Sequence, residues 1–192
     1  MRKRKFWGWG YADELLSAEE EKNIDSRIAK TFQLDDIETL PIPKVEDIDL
    51  PKPRLSPPSA LSKFLSDDKE ERLNHTYGKS FPDAARSLLK DFSSPPDLVA
   101  FPNTEDELVN VMDWCDESNI AVIPYGGGSS VCGGVETQVG DSYSGVVSLD
   151  LRNLNKIIEI DKESRSARIQ AGILGPDLES NLKKENLTMR HY

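Results

Sequence analysis

Apolar positions change their spacing along this chain, and the change falls near Pro95-Pro96. Before it, Ile24, Ile28 and Phe32 stand at i, i+4 and i+8, the repeat of one helix face. Ser17 as N-cap and Glu20 three residues later form a capping box, so Ser17 to Phe32 is predicted as a helix. Leu61, Phe64, Leu65 and Leu73 predict a second helix over Ala60 to Asn74, and Pro82 to Lys90 a short third one. Between the first two, Leu40 to Pro58 carries Pro41, Pro43, Pro51, Pro53, Pro57 and Pro58 among acidic residues, a mixture that favours extended, poorly packed chain.

After Pro95-Pro96 short apolar runs alternate with helical spacing. Leu98 to Phe101 reads as a buried strand. Thr104 then caps a helix in which Glu107 completes a capping box and Leu108, Val111, Met112 and Cys115 mark the apolar face. Ile120 to Pro124 is the next strand, closing a βαβ unit whose parallel strands end at one carboxyl edge, where ligands collect in open α/β sheets. Gly145 to Leu149, Lys156 to Ile160 and Ser166 to Ala171 predict three more strands, the last two joined as a hairpin through Asp161 to Arg165. Gly175-Pro176 opens a final helix through Leu178, Leu182 and Glu185, with proline suited to a first helical position.

Within this pattern the stretch Pro124-Tyr125-Gly126-Gly127-Gly128-Ser129-Ser130-Val131-Cys132-Gly133-Gly134 stands where a buried strand ends. Glycine lets backbone turn left-handed and lets a ligand press against its N–H groups, which form a concave nest for an anion. A charge-assisted hydrogen bond contributes roughly 1.5–3 kcal/mol, so a few amides with the Ser129 and Ser130 hydroxyls suffice to anchor a diphosphate without a lysine. No Lys or Arg lies in the loop. The frame Gly128-x4-Gly133 continues with Gly134 and Val135 rather than Lys and Ser or Thr, which excludes a Walker A loop. The frame Gly126-x-Gly128-x-x-Gly fails at Val131, and Glu136 to Ser144 is polar and turn-rich, which excludes a Rossmann turn.

The chain has 192 residues, 37% of them apolar, enough for one domain or one and a part. Its net charge of −10 opposes nucleic acid or an anionic membrane as partner. The one basic run, Arg2-Lys3-Arg4-Lys5, reads as a solvated N-terminus. Phe6-Trp7-Gly8-Trp9-Gly10-Tyr11 behind it reads as a hydrophobic clamp folded back on the main body. No apolar run approaches the ~18 residues of a membrane span and none follows the basic start, so a cytoplasmic location is expected. Cys115 and Cys132 have no metal-type spacing and are expected as free thiols, Cys132 packing behind the loop as a small residue. His75 and His191 are the only histidines, too few for a zinc site or a Ser-His-Asp triad, and no metal is expected.

These residues resemble the flavin-binding domain of the vanillyl-alcohol oxidase and p-cresol methylhydroxylase superfamily. The likeness rests on Pro95 to Pro102, Ile123 to Val131, Val147-Ser148-Leu149-Asp150 and Gln170-Ala171-Gly172-Ile173, in that order. Trp7 to Tyr11 and Gly172 to Glu179 are similar to the alkyldihydroxyacetonephosphate synthase group of that superfamily and its bacterial members. The resemblance implies an α+β fold: a PCMH-type FAD-binding domain over residues 93–192, comprising the first βαβ subdomain and the start of a second mixed sheet. A helical and Pro-rich extension over residues 1–92 precedes it.

The resemblance also implies FAD as cofactor, its diphosphate held by Pro124, Tyr125, Gly126, Gly127, Gly128, Ser129, Ser130 and Val131, with Gly172 either beside the cofactor or in a strand-ending turn. His75 and Lys79 are expected to cap or to be satisfied in the core. In the superfamily a second flavin motif and a substrate domain follow a Thr-Met-Arg-His-Tyr-like stretch, and here Tyr192 ends that stretch. A truncated chain, inactive alone and without nameable catalytic residues, is therefore expected. The parent is expected to act on a lipid phosphate in ether-lipid synthesis, or as an oxidase of a small hydroxy acid such as lactate or glycolate. A non-catalytic nucleotide- or anion-binding module and an α/β domain without ligand remain open at this stage, as does oligomeric state.

Overall fold

The structure, a computed structural model, describes residues 2–190. His191 and Tyr192, the end of the Thr-Met-Arg-His-Tyr stretch, lie outside the described residues. Helix α1 (Ala18–Phe32) has the capping box expected of Ser17 and Glu20, yet none of its residues is buried. Its apolar stripe is present but unpacked, with Phe32 68% exposed.

The predicted helix over 60–74 is broken into three pieces. A 3-10 turn (Ser62–Phe64) leads into strand β1 (Leu65–Ser66), and only then does helix α2 (Lys69–Asn74) begin, capped by Asp68. Leu65 pairs antiparallel with Ala100 and Ser66 with Val99, so tertiary pairing overrides the helical spacing of Leu61, Phe64 and Leu65. The Pro-rich segment is mostly exposed and extended, as expected, apart from a 3-10 turn at Val45–Asp47, but it is pinned to the body at a few points. Pro43 and Ile48 are fully buried, and Ile48 packs beside Phe6, Leu73, Tyr77 and Phe92. A buried isoleucine contributes roughly 1.5–3 kcal/mol, enough to pin a segment that makes few ladder bonds. Arg54 adds a two-point contact, Nη2 to Asp97 Oδ2 at 2.7 Å and Nε to Asp97 Oδ1 at 3.1 Å.

Helix α3 (Phe81–Leu88), capped by a Ser80–Asp83 box, precedes strand β2 (Leu98–Ala100), helix α4 (Glu105–Glu117), strand β3 (Ile120–Tyr125) and strand β4 (Gly145–Asp150). Thr104 caps α4 as expected, but the Glu107 carboxylate reaches Asn103 N at 2.8 Å, one residue further back than a capping box places it. The sheet order is β1-β2-β4-β3, with β2 and β3 each parallel to β4. The βαβ unit is present, therefore, with β4 inserted between its two strands. Val111 and Cys115 of α4 pack on Ala100, Val147 and Leu149 in the main core. Side chains alternate along a strand, so β4 sends Asp150 to the opposite face, toward α2. A separate two-stranded hairpin of β5 (Ile157–Asp161) and β6 (Ser166–Ile169) matches expectation, and helix α5 (Gly175–Lys184) follows with Pro176 in its first turn. The mixed α/β architecture is the one expected of the PCMH-type flavin domain.

Candidate functional site

Strand β3 ends at Tyr125 and delivers the glycine loop to the carboxyl edge of the sheet. Pro124 sits on the exposed side of this edge strand, where its missing N–H costs no ladder bond. Tyr125 is buried, its hydroxyl donating to Asn74 O at 3.0 Å. Burial, reinforced by the charge of Asp150, pushes that hydroxyl's pKa up to about 12. The loop then folds over the Tyr125 ring. Gly128 lies there at φ +66°, and a Cβ on it would stand 2.0 Å from the Tyr125 hydroxyl oxygen, so only glycine fits. Gly127 is different: its φ is ordinary, and a Cβ would meet nothing closer than 3.8 Å.

Between Gly126 and Val131, no backbone N–H donates a hydrogen bond to any group of the described residues. Six consecutive amides without a protein acceptor, on a loop anchored at both ends, are the kind of donors an anion nest requires. The loop's far side is braced instead through its carbonyls and side chains. Lys79 N donates to Ser130 O at 2.7 Å, and a Cβ on Gly78 would stand 2.2 Å from that same oxygen. Ser130 Oγ accepts from Gly134 N at 2.9 Å, closing the following turn, while the Ser129 side chain and Val131 are exposed. Cys132 is exposed as well, contrary to the expectation that it packs behind the loop, because residues 131–134 form an exposed turn closed by Ser130 Oγ on the amides of Cys132 and Gly134. Gly172 makes a tight approach, its Cβ position 1.6 Å from Leu151 O.

A cavity of about 200 Å³ opens beside Gly126 and Gly172, walled by Arg4, His75, Tyr125, Arg152 and Leu174 among others. Arg4 belongs to the basic run expected to be merely solvated. The run is instead held in place by an antiparallel bridge from Arg4 to Tyr11 and by ion pairs of Arg2 with Asp13 (2.7 Å) and Lys3 with Glu70 (2.6 Å). Arg4 Nη1 donates to Gly127 O. The aromatic clamp behind the run is partly as expected: Phe6 is buried against Trp7 and Phe92, whereas Trp9 is exposed. Lys79 Nζ donates to Lys5 O at 2.9 Å, and burial, then the charge of Arg4, lower its pKa to about 8.

His75 caps α2 and is satisfied in the core, as expected, but its partners were not foreseen. Nδ1 lies 2.7 Å from Glu71 O and Nε2 2.9 Å from Asp150 Oδ2. Arg152 closes the network, Nη2 lying 2.6 Å from Asp150 Oδ2 and 3.2 Å from Glu71 Oε2. Burial alone would raise the Asp150 pKa; hydrogen bonds from His75 and Arg152 reverse that and hold it below the ordinary aspartate range. The readable signal for this network is an aspartate ending a buried strand, Val146 to Asp150, since a buried carboxylate requires hydrogen-bond or charge partners.

Residues 96–192 match the family model described as an FAD binding domain. The chain is 34% identical over 167 residues to alkyldihydroxyacetonephosphate synthase of Dictyostelium discoideum, covering 84% of this chain and 27% of that protein. It is 25% identical over 192 residues to D-lactate dehydrogenase [cytochrome] 1, mitochondrial, of Saccharomyces cerevisiae, covering 94% of this chain and 32% of that one. A solved alkyldihydroxyacetonephosphate synthase superposes with a TM-score of 0.81 at 26% identity, over 98% of this chain and 40% of the solved one. The chain thus spans about a quarter to two fifths of the length of these relatives. The loop fits that cofactor on its own chemistry, since six free amides suit a diphosphate. On the family match over half its length, the chain belongs to the FAD-binding domain family of PCMH type, with FAD as its cofactor.

Proposed function

We propose that this chain is the FAD-holding part of a flavoenzyme of the alkylglycerone-phosphate synthase kind, and that Pro124 to Val131 carry the cofactor's diphosphate. The unpaired amides from Gly126 to Val131 are the observation that carries the second half of the reading. Residues 93–192 form the flavin domain proper in this reading, and residues 1–92 brace it: Gly78 and Lys79 against the loop's outer side, Asn74 beneath Tyr125. FAD, when bound, supplies an isoalloxazine able to accept and return electrons. The chain's own residues hold the anionic end in place. The loop amides orient the diphosphate, Gly128 lets the loop close over Tyr125, and Leu174 gives the cavity an apolar wall. The residues that act on substrate are proposed to lie outside this stretch, so that the 192 residues alone bind FAD without turnover.

For the full-length protein the proposed reaction exchanges the acyl group of an acylated glycerone phosphate for a fatty alcohol, releasing fatty acid. Its support is the identity to the Dictyostelium synthase and the coverage of 98% of this chain by the solved one. Release of fatty acid from those two substrates by the full-length enzyme is the expected result. Dye reduction dependent on lactate or glycolate, without fatty acid release, would move the protein to the hydroxy-acid oxidases.

The loop assignment has its own test in Gly127→Val. A side chain there meets no protein atom within 3.8 Å of its Cβ and needs no unusual φ, so the fold tolerates it. Its branched methyls instead cover the neighbouring amides. The expected result is loss of bound flavin with an unchanged melting temperature of the apoprotein, and retained flavin would overturn the assignment.

A further inference from the structure

The glycine loop contains no cation, and the flavin diphosphate carries two negative charges. Two cations nevertheless approach the loop from outside the flavin domain. Arg4 arrives on the N-terminal hairpin and Lys79 on the turn between α2 and α3, and no carboxylate of the described residues forms an ion pair with either. Lys5 and Arg72 also lack a carboxylate partner but are satisfied by backbone carbonyls, Lys5 on Glu14 O and Arg72 on Pro51 O and Pro96 O, whereas the other cations nearby form ion pairs. Arg2 pairs with Asp13, Lys3 with Glu70, Arg86 with Asp83 and Glu136, and Arg152 with Asp150 and Glu71. In a chain of net charge −10, where carboxylates are in excess, Arg4 and Lys79 are thus two half-buried cations that stand beside one loop of unpaired amides without a carboxylate partner.

Arg4 uses one N–H on Gly127 O, and its side chain forms no other hydrogen bond with the described residues. A guanidinium has five N–H donors in a planar fork suited to phosphate. Arg4 lines the same cavity as Gly126, and its guanidinium lies 3.9 Å from the Cβ position of Gly127. We propose that Arg4 is a ligand of the FAD diphosphate, supplying from the N-terminal hairpin the positive charge that the loop lacks. Lys79, which Arg4's charge repels and Asp83 only partly offsets, reinforces the field and ties the hairpin down through Lys5 O. The inference rests on the reading that the loop holds the diphosphate.

The test measures FAD dissociation constants on the deflavinated full-length protein at two salt concentrations. Arg4→Gln keeps a donor for Gly127 O and removes the charge; Arg4→Lys keeps the charge. A charged hydrogen bond predicts binding weaker by about ten- to a hundredfold in Arg4→Gln, with a flatter salt dependence, and within about threefold of the parent in Arg4→Lys. Parent-like affinity and salt dependence in Arg4→Gln would overturn the proposal. So would equal weakening in both variants, which makes Arg4 a brace rather than a charge. Gly127→Val separates the two levels. If it loses flavin while Arg4→Gln does not, only the role of Arg4 fails; if it keeps flavin, the loop reading fails first.

Discussion

Nε2 of His75 lies 2.9 Å from Oδ2 of Asp150, joining the end of α2 to the end of the central strand β4 across a fully buried gap. The same aspartate takes Arg152 Nε at 2.8 Å, so one carboxylate joins an imidazole and a guanidinium beneath the glycine loop. Removing one member of such a buried set costs roughly 3–5 kcal/mol, because the remaining charges lose their partner out of water. Asp150→Asn is expected to lower stability by that order at pH 7. The folded aspartate's pKa is depressed, so its contribution is fully present above the unfolded value of about 3.9 and is lost as pH falls through the lower folded one. Urea unfolding of parent and variant should therefore differ widely at pH 7 and converge toward pH 2. A gap that persists unchanged into acid would mean that the carboxylate's charge is not what holds these elements.

Gly128 and Tyr125 make a second, steric pair. Alanine at 128 would be forced into a left-handed conformation and into the Tyr125 ring, its Cβ 2.0 Å from the hydroxyl oxygen and 2.4 Å from Cζ. Strain of this kind costs roughly 1–3 kcal/mol, and overpacking adds a similar amount. Gly128→Ala is expected to destabilise the apoprotein by roughly 2–4 kcal/mol in denaturant titration. Tyr125→Phe should cost about 1 kcal/mol through the lost bond to Asn74 O. It should not rescue Gly128→Ala, because Cζ remains where the methyl must go. Rescue by phenylalanine would show that the loop does not lie on the ring.

Local chemistry made some of this legible. The Ser17–Glu20 cap, the strands at Ile120 and Gly145, the hairpin turn at Asp161 to Arg165 and the glycine loop are all written within a few residues of one another, and each stands where its local signal put it. The failures share a cause in distance along the chain. Leu61, Phe64 and Leu65 have helical spacing, and only the pairing of Leu65 with Ala100 makes a strand there. Arg4 looked solvated because its partner, Gly127, is far away in sequence. The His75–Asp150 contact likewise spans two segments, although the acid at the end of a buried strand was a usable hint. Gly127 and Gly128 show the finer limit: sequence marks both as glycine, and only coordinates say that the second alone is conformationally required.

Lys79 turns the same region into a pH-dependent one. Burial and then the charge of Arg4 lower its pKa to about 8, against an ordinary lysine value near 10.4 in the unfolded chain. Between these values the unfolded state binds the extra proton, so stability rises with pH across that window, by on the order of 3 kcal/mol if the whole shift is realised. Cys115 works against it: burial pushes its thiol to about 11, so above roughly pH 8.5 the unfolded thiolate favours unfolding. The parent's net profile mixes the two, and the contribution of Lys79 is read as the difference from Lys79→Met. Methionine keeps the apolar stem and removes the charge, so the variant is expected to be more stable than the parent at pH 7 and to lose that advantage by pH 10. FAD affinity should move the opposite way in the parent, falling above pH 8 as the ammonium beside the loop discharges. A Lys79→Met variant with the parent's pH dependence in both measurements would remove Lys79 from this account and leave Arg4 as the sole cation at the loop.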